Sequence, residues 1–229
     1  MARFLKPGWL AIYAIVLATA AWFGAPRLLR KLDFFRVRRV ELVGLVSLAP
    51  ADVLRALAVP VRYNVFDDLA PIERRAARIP GVVSAEVHRR LPGTLRVELV
   101  EAVPVALAPG RAGLVPMDAA GRILPFDPTV AAPDLPVTAR PDSVVGAVLL
   151  RVREADPGLF EQVTSAARGA GDDVALDVGS RRYWLRRDAS VETIRALTAV
   201  AQDLARRGRD YRELDGRFAG QVIVRGGSA

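Results

Sequence analysis

The sequence predicts an α+β protein carried on a single N-terminal transmembrane helix, and three observations predict it. Residues 8–25 hold no charge. Residues 35–106 run in the order strand, helix, helix, strand, strand. Residues 107–229 then read as a mixed, β-rich part with two helices and a C-terminal strand.

The uncharged run from Gly8 to Ala25 is bracketed by Pro7 and Pro26. As a helix it covers about 27 Å at ~1.5 Å per residue, close to the hydrocarbon thickness of a bilayer. Trp9, Tyr13, Trp22 and Phe23 stand towards its ends, where amphipathic rings favour the interface. Ala18-Thr19-Ala20 has the small-x-small form of a signal-peptidase site, so cleavage is the competing reading. The apolar run continues through Trp22 and Phe23 beyond that site, which favours a retained anchor. The expected layout is a tail at 1–7, the membrane helix at 8–26 and a basic tether at 27–34. Basic residues are denser on the C-terminal flank (Arg27, Arg30, Lys31) than before the span (Arg3, Lys6), and the positive-inside rule applied alone places that flank in the cytoplasm.

In residues 35–106 the stretch Phe35–Gly44 reads as a strand whose alternation slips phase at Arg38-Arg39, the mark of a bulge. Pro50 suits a first helical position, with Val53, Leu54 and Leu57 on one side. A second helix, capped by Asp67 or Asp68, aligns Leu69, Ile72, Ala76 and Ile79 and ends at Pro80-Gly81. A hairpin closes the unit. Val83, Ala85 and Val87 point to one face, and Leu95, Val97 and Leu99 do likewise, around the turn Leu91-Pro92-Gly93-Thr94, so the sheet has one buried and one wet face.

Residues 107–229 have a different texture. Gly113–Met117 and Arg122–Phe126 read as short strands around a turn at Asp118–Gly121, and a proline-rich loop follows from Asp127 to Asp142, with Leu135–Val137 a short strand at most. Asp142 or Ser143 caps a helix burying Val145, Val148, Leu149 and Val152, which Pro157-Gly158 stops. The spacing of Leu159, Phe160, Val163 and Ala167 permits a helical turn or two, with a strand the close alternative. Val174–Val178 and Arg182–Arg186 form a hairpin, and Ser190 opens a helix with the stripe Ile194, Leu197, Ala201 and Leu204, closed by Gly208. The chain ends in the strand Gln221-Val222-Ile223-Val224-Arg225, placed as a sheet edge beside the C-terminus.

Little in the sequence points to catalysis. There is no cysteine, so neither disulfides nor thiolate chemistry arise. The one histidine, His88, falls in the outward register of a strand with no nucleophile motif beside it, which reads as a solvated residue rather than a base. Asp67-Asp68 reads as capping rather than metal ligation, and Asp172-Asp173 as a loop turn. No glycine-rich phosphate loop follows a strand into a helix. No cofactor and no metal are expected. The formal charge is +8, and 31 of the 33 basic residues are arginine. They are interleaved with acids and lack neighbouring stacking aromatics, which argues against nucleic acid and leaves anionic surfaces such as lipid headgroups.

Several stretches, in their order and spacing, resemble the FtsQ/DivIB family of bacterial cell-division proteins. They are Phe35–Gly44, Ile79–Arg89, Leu91–Val97, Glu101–Ala106, the Asp118–Gly121 turn and Leu214-Asp215-Gly216-Arg217-Phe218. The chain departs from that pattern at Gly81, Ala102 and Gly216, where the family often has an aromatic, an arginine and a leucine respectively. The resemblance implies a POTRA-type domain at 35–106 and a β-rich domain at 107–229. It also implies a bitopic, non-enzymatic scaffold at the septum, with a cytoplasmic N-terminus and its bulk outside the membrane. Its implied partners are FtsB/DivIC-like and FtsL-like proteins and the cytoplasmic membrane. With the terminal strand as an edge open to a partner strand, the expected contact residues are Tyr211, Arg217, Phe218, Gln221, Val222, Ile223, Val224 and Arg225. A POTRA module of envelope assembly or secretion is the rival reading, set back by the single copy of the unit.

Overall fold

The computed structural model describes residues 32–226 except 112, 129–133 and 219, and before them residues 15, 16, 19 and 29. The expected transmembrane helix at 8–26 therefore lies outside the described residues but for 15, 16 and 19. Among the described residues no helix is long and apolar enough to cross a membrane. The chain forms two compact units, one from residues up to Leu45 with Ala49–Glu101, the other from Val46–Leu48 with Ala102 onwards.

The first unit is a three-stranded sheet with two helices. Strands β1 (Arg39–Val43), β2 (Val82–Arg90) and β3 (Thr94–Glu101) lie in the order β1-β3-β2, with β1 parallel and β2 antiparallel to β3. Helix α1 (Pro50–Leu57) packs on α2 (Ala70–Ala76), and α2 packs on β2. The predicted apolar positions supply the core: Val53, Leu57, Ile72, Leu95 and Val97 have no exposed surface, each contributing roughly 1.5–3 kcal/mol by burial. Leu54 is a correction, since it is 43% exposed and lies off the buried side of α1.

The first strand is shorter than predicted. Asp33–Phe35 form a 3-10 turn, and Arg36 bridges to Asn64 rather than to the sheet. The phase slip at Arg38-Arg39 is where the chain changes partner: both amides point at the Gly93 carbonyl, at 2.8 and 3.3 Å. Gly44 ends the strand at φ +87°, where a Cβ would lie 2.0 Å from the Leu99 carbonyl oxygen, so no side chain fits. Helix α2 is not capped by an aspartate side chain. Its N-cap is Leu69, while Asp68 Oδ1 accepts from the Ala70 amide and Asp67 Oδ2 from that of Asn64.

The second unit is an eight-stranded sheet. Its strands are β4 (Pro104–Gly110), β5 (Gly113–Asp118), β6 (Val137–Thr138), β7 (Val163–Arg168), β8 (Asp173–Val178), β9 (Arg181–Arg186), β10 (Glu213–Asp215) and β11 (Ile223–Arg225). Their order is β11-β10-β9-β8-β7-β6-β4-β5. The steps β4–β6, β6–β7 and β9–β10 are parallel, the others antiparallel. Helix α3 (Ser143–Ala155) covers β4, β7 and β8; α4 (Pro157–Gln162) follows it, and α5 (Val191–Arg206) packs on α3 and β10. Both predicted caps form. The Asp142 carboxylate accepts from the Val144 and Val145 amides, and Ser190 Oγ from that of Thr193.

Three expectations for this unit need correcting. Arg122–Phe126 is not a strand. It touches β5 at the single bridge Met117–Ile123, and the hairpin partner of β5 is β4. At least three helices are present among the described residues, because Asp156 accepts from the Leu159 amide and turns Pro157 from a stop into the first residue of α4. The open choice at Leu159–Ala167 resolves into both forms, helix to Gln162 and strand from Val163.

Candidate functional site: the β10–β11 edge

Strand β11 ends the sheet, and among the described residues no strand pairs with its outer side. It runs from Ile223 to Arg225, two residues shorter at its start than predicted. Its hydrogen-bonding direction follows from its neighbours. The Arg182 amide donates to the Arg212 carbonyl and the Gly216 amide to that of Trp184, so Leu214, between them, shares its peptide groups with β9. Glu213 and Asp215 consequently face β11, where they oppose Arg225 and Ile223. The remaining residue, Val224, turns its N–H and C=O away from the sheet. Its side chain is 42% exposed.

The segment behind this edge is held by charge. Asp215, with no exposed surface, accepts from Arg217 Nε at Oδ1 (2.8 Å) and from Arg217 Nη2 at Oδ2 (2.7 Å). Arg217 also donates Nη1 to Asp173 Oδ2 at 2.7 Å and lies over the Trp184 ring, 5.0 Å from its centroid. Arg225 brings β11 into the same network, with Nη2 3.1 Å from Asp215 Oδ2. The bond from Arg217 holds the Asp215 carboxyl below the usual range for aspartate, and its two aspartates push the guanidinium of Arg217 above its own.

The eight expected contact residues thus separate into groups. Val224, Gln221, Arg225 and Phe218 are exposed, Phe218 at 47%. Ile223 and Val222 are half-buried, and Val222 packs on the core of the second unit. Arg217 is engaged by Asp215, Asp173 and Trp184. Tyr211 lies inside at 1% exposure, its hydroxyl 2.8 Å from that of Tyr183, with Arg181 4.3 Å above its ring. Burial, and then the bond to Tyr211, push the Tyr183 hydroxyl well above the ordinary tyrosine range. Asp215, Asp173, Trp184 and Tyr183 support the edge and were missed. Asp215 carried a signal, since its Asp-x-Arg spacing allows two-point contact with Arg217; the others come together only through tertiary pairing.

Gly216 has a steric reason. A Cβ there would lie 3.1 Å from Leu197 Cδ1 and 3.3 Å from Thr193 Cγ2, so the backbone of the β10–β11 connection rides directly on α5. Beside it a polar cleft is lined by Arg186, Ser190, Thr193, Gly216, Arg217 and Gly220. His88 stands on β2, half exposed, with Nε2 3.4 Å from Glu86 Oε2. Among the described residues no group of three His, Cys, Asp or Glu side chains is placed to hold a metal.

Residues 35–102 match the family model described as "POTRA domain, FtsQ-type". The first unit is therefore a POTRA domain, followed here by a sheet that ends in a short edge strand. The chain is 30% identical over 210 residues to the "Cell division protein FtsQ" of Mycobacteroides abscessus, covering 89% of this chain and 67% of that protein. It is 30% identical over 215 residues to the protein of the same name from Rhodothermus marinus, covering 85% and 79% respectively. The chain belongs to the FtsQ/DivIB family of bacterial cell-division proteins. The solved extracytoplasmic domain of DivIB from Geobacillus stearothermophilus aligns at a TM-score of 0.35 and 16% identity, over 46% of this chain and 96% of that one.

Proposed function

We propose that this protein is a membrane-tethered docking scaffold of the division septum, and that the outer side of β11 is where a partner strand adds to the sheet. The observation that carries the reading is the register of β11, which leaves the peptide of Val224 directed away from β10. A strand laid beside it gains main-chain hydrogen bonds, while the exposed Phe218 and Val224 side chains offer apolar contact. The partners we assign are an FtsB/DivIC-like and an FtsL-like division protein. Residues 8–26 hold the chain in the cytoplasmic membrane with the N-terminus inside and the two units outside. Tyr211 and Arg217 act from behind, by positioning β10 and β11, rather than by touching the partner.

The test is a proline pair. Ile223 faces β10, so Ile223→Pro removes a bond inside the sheet; Val224→Pro removes only an outward donor. Co-purification of the membrane partners with the full chain should be lost with Val224→Pro while the far-ultraviolet spectrum and melting temperature hold. Retention of partners by a folded Val224→Pro chain overturns the docking edge.

A further inference from the structure

The end of the first unit where the chain enters from residue 29 has an unexplained surface. Phe34 is 59% exposed, Leu32 46% and Val61 94%. Phe34 begins a run of edge-to-face rings with Phe35 and Phe66, at centroid distances of 5.0 and 5.1 Å. The entering chain is fastened to the loop that carries Val61. Asn64, buried at 3%, donates from Nδ2 to the Leu29 carbonyl (3.4 Å) and to that of Leu32 (3.2 Å). The Val37 amide bonds to the Tyr63 carbonyl and the Val65 amide to that of Phe35. Turn and loop therefore form one rigid end.

We infer that this end rests on the bilayer surface, with Leu32, Phe34 and Val61 in the interfacial layer and Arg62 and Arg38 on anionic lipid headgroups. The inference rests on reading residues 8–26 as a membrane span. Ala25 and Leu29 are four residues apart, at most about 14 Å of extended chain, against a headgroup layer of roughly 5–8 Å on each side. The Asn64 tie to Leu29 keeps Val61 and Arg62 within reach of that layer. The charge also fits. Arg62 is exposed and in no ion pair among the described residues, and Arg27, Arg30 and Lys31 lie in the tether. The local acids have partners in the protein: Asp33 pairs with Arg36 at 2.8 Å, while the carboxylates of Asp67 and Asp68 bond to the Asn64 and Ala70 amides. Arg38 is exposed too, and its guanidinium meets only the Asp33 carbonyl among the described residues. An exposed apolar ring beside these two arginines, next to a membrane exit, is the pattern of an interfacial contact.

The absence of cysteine allows single-site labelling of the full chain in vesicles. A fluorophore is placed at Val61→Cys, at Val83→Cys and at Val16→Cys, with spin-labelled lipid as quencher. Val83 is 62% exposed and lies at the opposite end of the sheet, since Val82 pairs with Glu101 whereas Arg90 pairs with Thr94 beside the Gly93 carbonyl. In vesicles containing phosphatidylglycerol, headgroup-labelled lipid should quench position 61 and leave 83 bright, and acyl-labelled lipid should quench 16. Arg62→Glu should lower quenching at 61 by at least about fivefold, the factor of one basic residue at an anionic surface. A bright position 61 with 16 quenched overturns the surface contact while the span stands. A bright position 16 overturns the span and the contact with it. Equal quenching at 61 in purely phosphatidylcholine vesicles overturns the assignment to anionic headgroups.

Discussion

Arg217 grips Asp215 with two nitrogens, at 2.8 and 2.7 Å, and Arg225 of the edge strand reaches the same carboxylate at 3.1 Å. A buried acid is thus the common anchor for the connection and for the strand it delivers. Removing it leaves two guanidinium groups without their main partner. Asp215→Asn should cost about 3 kcal/mol, the penalty for breaking a buried pair from one side. Urea unfolding followed through Trp184, which lies under Arg217, measures it. An unchanged midpoint would show that Asp215 does not hold the edge.

The same carboxylate gives a pH dependence with a defined sign. Arg217 holds the Asp215 carboxyl lower in the folded chain than in the unfolded one, where it sits near ~3.9. Its contribution is fully present above that unfolded value and is lost as pH falls through the folded one. Stability of the wild-type chain should fall with acid below about pH 4, and Asp215→Asn should lose that part of the slope. Equilibrium unfolding across the acid range, with both proteins in the same buffers, provides the comparison.

Tyr211 offers a clean separation of support from contact. Among the described residues its hydroxyl bonds to Tyr183 and Arg181, both inside the unit. Tyr211→Phe should lower stability by about 1 kcal/mol, the net worth of one hydrogen bond, and leave partner co-purification intact. Loss of binding without loss of stability would return Tyr211 to the contact surface.

At Gly216 the space is already taken by Leu197 and Thr193 of α5. Gly216→Leu should destabilise by roughly 1–3 kcal/mol through overpacking. Adding Leu197→Ala should recover part of that loss if the clash is local. A double-mutant cycle in thermal denaturation gives the coupling.

Periodicity carried the first unit. The alternating Leu95–Leu99 arm, Val87 opposite it, and the spacing of Leu69, Ile72, Ala76 and Ile79 describe burial that tertiary packing had no reason to override. Val83 is the exception, 62% exposed because the register slips between Val82 and Ser84 and leaves it outside the alternation. Where the sequence misled, short elements depended on partners distant in the chain. Strand β10 is three residues long, with Leu214 between two acids, and exists because β9 offers it a parallel register thirty-one residues earlier. Strand β4 contains Pro104 and Pro109, which obscured it, whereas Arg122–Phe126 looked extended but found only one bridge. Pro157 has the look of a terminator in the sequence because the Asp156 side chain that makes it an initiator acts one residue upstream. At the edge, the sequence supplied the strand and Arg217; it had no way to display Asp173 and Trp184 beneath that arginine.

Strand β11 hangs on β10 through three residue pairs, and β10 hangs on β9 through three more. The margin of the sheet is therefore thinly reinforced, and an added strand would complete the lamination there. Amide exchange at Leu214 and Ile223 would then slow on complex formation even though neither residue meets the newcomer, so that occupancy is reported as stiffness.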